Sequence, residues 1–344
     1  MSFVGREREL ALLARAVQRA SDGEAIRVLV AGPAGMGSSS LLDAFAARLA
    51  ATPEIVCVRG CAYKPLAGQP YAALAAALGS VLVALPDDRL VDVIAPAAHD
   101  LATLLPWLAP RLDALGVPRE PPALESVALI GSRVLEGVIG TLERLAGDGI
   151  VVVALEDLHW SDPGTRRFVE TLLGIEGRLP ICLIATYHVD EINRRHPARL
   201  FIDRILESTG VDVMRLAPLA SDDLAAICEE LIGDRPAGSF VAALVEGSGG
   251  NPLMATQLMT AHARLEGMRL SDPFEEVLAA RVDALPPGAL RTVRLLAAAR
   301  RPLPRAACLS IPMREGRLDR QAIEDALASG LAVEVDPAPG EGGT

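Results

Sequence analysis

Ile26-Arg27-Val28-Leu29-Val30-Ala31-Gly32-Pro33-Ala34-Gly35-Met36-Gly37-Ser38-Ser39-Ser40 is the stretch on which the fold turns. Its first six residues are mostly β-branched and aliphatic, a short apolar run that fits a buried parallel strand. They lead straight into a glycine-rich turn. Leu41, Leu42, Phe45 and Leu49 then recur at helical spacing. Strand, glycine turn and helix together present backbone amides and a helix N-terminus, the geometry that receives a phosphate. Taken alone, such a turn is equally a tight strand-to-helix connection.

The spacing Gly32-x4-Gly37-x-Ser39 is that of a P-loop in every position but one. Glycines let the backbone fold around phosphates, a lysine reaches the β and γ oxygens, and a Ser or Thr hydroxyl faces Mg²⁺. Here the lysine position holds Ser38, while Ser39 stays in register as the metal-side hydroxyl. The amide nest and the helix dipole need no side chain. The missing contact is charge-assisted and contributes about 1.5–3 kcal/mol, roughly a 10- to 150-fold effect on binding. Phosphoryl transfer should suffer more, because that charge stabilises the transferring group.

A second signal follows downstream. Ile150-Val151-Val152-Val153-Ala154-Leu155 is an apolar strand that ends in Glu156-Asp157 and continues Leu158-His159-Trp160-Ser161-Asp162. Paired acids at the tip of a buried strand suit a Mg²⁺ ion and an attacking water, though a solvated acidic turn has the same composition.

Further strands are expected at 54–58, 181–186 and 211–216, alternating with helices, which predicts a parallel α/β sheet. A long Ala/Leu-rich helical stretch, 71–146, is broken by prolines and by a loop at 118–122. After residue 216 the pattern is helical. Ser221 reads as an N-cap for a helix to 231, others are expected at 238–246, after Pro252, at 274–284, 289–299 and 322–329, and a strand at 331–335. The 336–344 tail is Pro, Gly and acid and is expected to be disordered.

Composition narrows the function. The 344 residues suggest two or three domains, and 51% hydrophobic with 22% charged excludes wholesale disorder. A net charge of −11 argues against coating nucleic acid or an anionic membrane. No run reaches the ~18 apolar residues of a membrane span, and the charged N-terminus is unlike a signal peptide. Five cysteines with no CxxC pair read as small hydrophobes in a reducing, cytoplasmic compartment. The 33 basic residues comprise 32 arginines and one lysine, Lys64.

Phe3-Val4-Gly5-Arg6-Glu7, the turn at 32–39 and Leu155-Glu156-Asp157-Leu158-His159-Trp160-Ser161-Asp162 stand in an order that resembles the AAA-like module of STAND regulators. They are most similar to the ATPase half of large LuxR-type transcriptional activators of actinobacteria. Gly60-Cys61 with Pro70-Tyr71, Ala185-Thr186-Tyr187, the 219–231 segment and Gly250-Asn251-Pro252-Leu253 are weaker matches, so the resemblance spans about 3–335. It implies an α/β P-loop NTPase of the ASCE/AAA type over 1–217 with a helical insert at about 60–146. A helical lid at 218–271 and a winged-helix-like domain at 272–335 would follow.

The same resemblance implies ATP or ADP as ligand and Mg²⁺ as its companion. Gly32, Gly35, Met36, Gly37, Ser38, Ser39 and Ser40 would cradle phosphate, with Ser39 and Glu156 at the metal and Asp157 near the catalytic base. Val4, Gly5 and Arg6 would lie by the adenine, His188 at the first sensor and Pro252 at the lid edge. His188 stands where the family usually carries an arginine, so two cationic groups are absent together. His159 is expected to pack and hydrogen-bond; His99, His196 and His262 show no metal spacing. The expectation is a nucleotide-dependent regulatory switch with weak or absent hydrolysis, working through a protein partner or self-association. A Mg²⁺-dependent ATPase with an unusual P-loop and a nucleotide-free scaffold are the alternatives. Arginines between 281 and 305 make the last segment basic, but without a readable recognition helix or a C-terminal helix-turn-helix, direct DNA binding by this chain is not expected.

Overall fold

The computed structural model describes residues 3–64, 70–119, 127–175, 179–265, 268–312 and 316–335. Part of the loop expected at 118–122 and the 336–344 tail lie outside these residues. Two compact units result, one from Arg6–Ala34 and Ser38–Leu216, the other from residues 3–5, Gly35–Gly37 and the described residues from Ala217 onward.

The first unit is built on five parallel strands: β1 (Arg27–Gly32), β2 (Ile55–Cys61), β3 (Ile150–Glu156), β4 (Ile181–His188) and β5 (Val211–Arg215), in the order β2-β3-β4-β1-β5. The strands expected at 26–31, 54–58, 150–155, 181–186 and 211–216 are present. β3 is buried along its whole length and β4 along all but its last residue, as continuous apolar runs require when helices cover both sheet faces. Edge strand β5 instead leaves Asp212 and Val213 exposed.

Helices α1 (Glu7–Ser21) and α2 (Ser38–Leu49) flank β1. The Ala/Leu-rich stretch forms α3 (Ala72–Leu82), α4 (Asp87–Ile94), α5 (Ala98–Leu104), α6 (Leu108–Ala114) and α7 (Val127–Ala146), split where its prolines fall. α3 lies tight on β2 because Gly60 has no side chain: a Cβ there would sit 1.9 Å from the Ala73 carbonyl oxygen. Next come α8 (Pro163–Gly174), started by Pro163 and capped by the Asp162 carboxylate on the amides of Gly164 and Thr165, and α9 (Arg199–Glu207). Leu74, Leu78, Leu90, Ile94, Phe168 and Phe201 join β3 and β4 in one core.

The second unit is helical: α10 (Ser221–Ile232), α11 (Gly238–Ser248), α12 (Pro252–Arg264), α13 (Phe274–Asp283), α14 (Pro287–Ala299), α15 (Arg305–Ser310) and α16 (Arg320–Ala328). Leu224, Cys228, Leu244, Leu258 and Val277 form its core. Two readings need correction. The cap of α10 is Ala220, with Ser221 already inside the helix and no side-chain cap. Residues 331–335 form no strand, and Val333 and Val335 are exposed. Alternating apolar residues stabilise a strand only where a neighbour accepts its ladder, and the described residues offer none there.

Candidate functional site

The glycine turn leaves the C-terminal end of β1 and enters α2. Gly35 and Gly37 have φ of +80° and +86°, a left-handed backbone that side chains disfavour. At Gly35 space is also closed, since a Cβ would lie 2.8 Å from Asn251 Oδ1 and 2.9 Å from the Leu253 Cβ. The Leu253 amide donates to the Gly35 carbonyl at 3.3 Å. At Gly37 an added Cβ would meet no atom of the described residues within 4 Å, so the torsion alone calls for glycine. The first turn of α2 has no acidic residue, and Ser39 and Ser40 are exposed there. An undecorated helix N-terminus behind a left-handed glycine turn fits the phosphates of a nucleotide.

The acids stand at the same, C-terminal edge of the sheet, where ligands of parallel α/β folds bind. Register aligns Cys61 with Glu156 and Gly32 with His188, so the ends of β2, β3, β1 and β4 come together. Glu156 is 7% exposed and already partnered: Arg59 Nε donates to its Oε1 at 2.6 Å. The same guanidinium bonds the Asp43 carboxylate on α2 and reaches the Ser39 carbonyl at 3.4 Å. Burial works against the Arg59 charge, but the hydrogen bonds and charges of Glu156 and Asp43 outweigh it and hold the guanidinium above its ordinary pKa. Arg59 had no place among the residues expected from sequence. Its signal is an arginine in a strand otherwise apolar or small, two residues before the strand's end.

Mg²⁺ requires near-octahedral oxygen ligation, usually by one or two carboxylates. Ser39 and Glu156 are oxygen donors of the right kind, but the Glu156 carboxylate is engaged by Arg59. As arranged, these residues do not fit a magnesium ion.

Asp157 follows in the left-handed region at φ 53°, its amide donating to Thr186 Oγ1 at 3.1 Å. Burial raises its carboxyl pKa; His188 opposes this, and Glu156 and Glu191 add to it. His188, at the tip of β4, places Nε2 3.5 Å from Asp157 Oδ1 and Nδ1 3.1 Å from Glu191 Oε1. Trp160 Nε1 donates to Glu191 Oε2 at 3.0 Å. Burial resists ionisation of Glu191, yet the hydrogen bonds from His188 and Trp160 and the nearby imidazoles bring its pKa below the ordinary value. His159 is fully buried in this group, its pKa pushed down to about 4 by burial and by the neighbouring His188. Lys64, the one lysine in the sequence, lies 4.7 Å above the Trp160 ring.

The residues expected from sequence thus fall into groups. Glu156, Asp157 and His188 meet at the strand ends, and Ser38 and Ser39 open α2. Arg6 is the N-cap residue of α1, itself left-handed at φ 62°. Val4, Gly5, Gly35, Met36, Gly37 and Pro252 belong to the second unit, where Gly5 lies against Asp223 and Pro252 opens α12 behind its Asn251 cap.

A sequence profile described as the AAA ATPase domain matches residues 2–184. Among curated proteins none matches significantly. Among solved structures, a STAND protein with a tetratricopeptide repeat sensor from Pyrococcus horikoshii is similar, at 19% identity and TM-score 0.45, over 88% of this chain and 36% of that one. This chain therefore spans about a third of that protein's length. Two RuvB mutants from Thermotoga maritima, 14% and 13% identical, align over 97% of this chain and 97% of their own with TM-score 0.39. No helix among the described residues is long and apolar enough to cross a membrane. The matched profile covers more than half the sequence, taking in the glycine turn and the acid-tipped β3, and the chain belongs to the AAA ATPase domain family.

Proposed function

We propose that this chain is an ATP- or ADP-binding regulatory module of the STAND type, a nucleotide-dependent switch in which hydrolysis is weak or absent. One observation carries the reading: the carboxylate that would ordinarily hold Mg²⁺, Glu156, is ion-paired to Arg59 at 2.6 Å. With Ser38 in the lysine position and His188 in the arginine position, the reaction lacks its usual cations. Binding keeps what it needs, the left-handed glycines and the open N-terminus of α2.

In this reading Gly32, Gly35, Gly37, Ser38, Ser39 and Ser40 contact phosphate, Val4, Gly5 and Arg6 contact the base, and Pro252 senses the nucleotide. Residues 218–271 act as a helical lid and 272–335 as a winged-helix-like unit. The order of motifs supports a place in a LuxR-type transcriptional regulator, with output through a protein partner or self-association, not through DNA contact by this chain.

Isothermal titration with ATP and ADP, with and without Mg²⁺, alongside a phosphate-release assay, tests the proposal. Binding without steady phosphate release is expected. No heat and no thermal shift at millimolar nucleotide would overturn it in favour of a nucleotide-free scaffold. A second reading draws on Arg59 itself: its guanidinium lies 3.4 Å from the Ser39 carbonyl and would replace the lysine in a working ATPase. Phosphate release that disappears in Arg59→Met and Asp157→Asn alike would favour it.

A further inference from the structure

We propose that Asp157, His159 and His188 form a binding site for one divalent transition-metal ion of the zinc class, with Glu191 orienting His188. The three residues come from the end of β3, the short turn Leu158–Trp160 that follows it, and the end of β4. Each offers one ligand atom, and these atoms lie within 4.8 Å of one another. Zinc bonds of about 2.0–2.1 Å in a tetrahedron set ligand atoms about 3.4 Å apart. His188 Nε2 and Asp157 Oδ1 already stand at 3.5 Å.

The surroundings are those a ligating histidine needs. A metal-bound imidazole commonly gives its other N–H to a carboxylate, which fixes tautomer and ring plane. His188 Nδ1 has that partner in Glu191 Oε1 at 3.1 Å. Glu191 is fixed in turn by the Trp160 indole at 3.0 Å.

His159 supplies an independent observation. Its ring is fully buried, and among the described residues its Nε2 finds no well-formed hydrogen bond, only Glu191 Oε2 at 3.4 Å. A buried polar nitrogen so weakly partnered is costly, and a cation would satisfy it. Its Nδ1 accepts from the His188 amide at a long 3.4 Å, a contact that ligation through Nε2, with the proton on Nδ1, would break.

Asp157 adds backbone strain. A non-glycine residue at φ 53° persists where its surroundings hold it, here through the Thr186 hydroxyl. Two imidazoles with one carboxylate select zinc, cobalt, nickel, copper or ferrous iron over Mg²⁺ or Ca²⁺, which prefer oxygen. Asp157 and His188 keep 30% and 18% of their side chains exposed, so the ion has an entry path and a coordination position open to solvent. The site differs in ligands from a magnesium position at Ser39 and Glu156.

The test uses the full chain without a histidine tag, stripped by chelator and dialysed against micromolar Zn²⁺, with metal content measured by mass spectrometry. One zinc per chain is expected, and Co²⁺ should give a visible ligand-field spectrum. His188→Ala and Asp157→Asn, checked for folding by circular dichroism, should each lose the metal, and Glu191→Gln should weaken it by about 10- to 100-fold. Cys308→Ser should leave it unchanged. Failure to retain zinc, or retention of one equivalent in His188→Ala and Asp157→Asn, would show instead that the cluster is a hydrogen-bonded core.

Discussion

Replacing Arg59 with Met keeps an apolar stem in place and removes the cation from Glu156. In the wild-type chain Mg²⁺ must take the Glu156 carboxylate from a guanidinium at 2.6 Å. A hydrogen bond to a charged group contributes about 1.5–3 kcal/mol, so the pair should cut any gain in nucleotide affinity from magnesium by about 10- to 150-fold. Asp43, the other partner, is 66% exposed and adds little. Magnesium should therefore change wild-type ATP affinity less than about threefold, while Arg59→Met should gain at least about tenfold from it. Stability moves the other way. Removing one member of a buried pair costs about 3–5 kcal/mol, and the lower end applies because Arg59 is itself partly exposed. Thermal unfolding of Arg59→Met should occur well below wild type in EDTA and recover part of the loss in millimolar Mg²⁺. Calorimetry and thermal melts read both quantities, the second with no nucleotide present. A wild-type affinity that rises tenfold or more with magnesium, together with an unchanged melt for Arg59→Met, would refute the placement of Arg59.

Ser38→Lys should tighten ATP binding by about 10-fold or more in the same titration, since it restores a charge-assisted contact of about 1.5–3 kcal/mol. Gly35→Ala should destabilise the second unit and weaken nucleotide binding, because the residue sits at φ +80° with Asn251 Oδ1 2.8 Å from the added carbon; chemical denaturation reads the first effect and calorimetry the second. Asn251→Ala removes the cap that accepts the Leu253 and Met254 amides and should cost about 1 kcal/mol, measured by denaturant titration. His159 has a folded pKa of about 4, below its unfolded value, so its neutral form is what folding favours. That contribution is fully present above about pH 6.5 and is lost as pH falls toward 4, and the melting temperature of His159→Gln should fall less steeply across this window than that of wild type.

Apolar runs made the sheet legible. Ile26 to Ala31 and Ile150 to Leu155 cannot be solvated, and only strands buried on both faces accommodate them. Glycine placement carried the turn, since Gly35 and Gly37 occupy the torsions that the P-loop spacing demands. What escaped were contacts made across strands. Arg59 and Glu156 are 97 positions apart, and only the parallel pairing of β2 with β3 makes them neighbours. His159 and His188 were read from separate motifs and not as one cluster with Asp157, because metal and hydrogen-bond clusters at strand ends have no fixed sequence spacing. The strand expected at 331–335 shows the opposite failure. Its alternation was local, and no neighbour among the described residues makes it a ladder.

The absence of a lysine at 38 and an arginine at 188, where the proposed reading would expect them, acquires a different meaning once the pairing of Glu156 and Asp157 is known. A lysine at 38 and an arginine at 188 would have stood near Glu156 and Asp157, and their loss alone would leave two carboxylates at the end of a buried strand. Such acids repel one another and are costly to bury without partners. The chain answers each one separately. Glu156 receives Arg59 from β2, and Asp157 receives the His188 imidazole from β4. In the proposed reading, the charge at this edge sits on groups that hold the acids and not on groups that would touch a phosphate. An arginine held by two carboxylates is a poorer electrophile than a free lysine, because its field is already compensated, whereas an imidazole bridging two carboxylates is a metal ligand in waiting. On that proposal, phosphate binding and phosphate chemistry should separate in this protein. Restoring Ser38→Lys without removing Arg59 should therefore raise nucleotide affinity and leave phosphate release near its starting rate, and a large gain in turnover from that single change would show that Glu156 is free to serve the reaction after all.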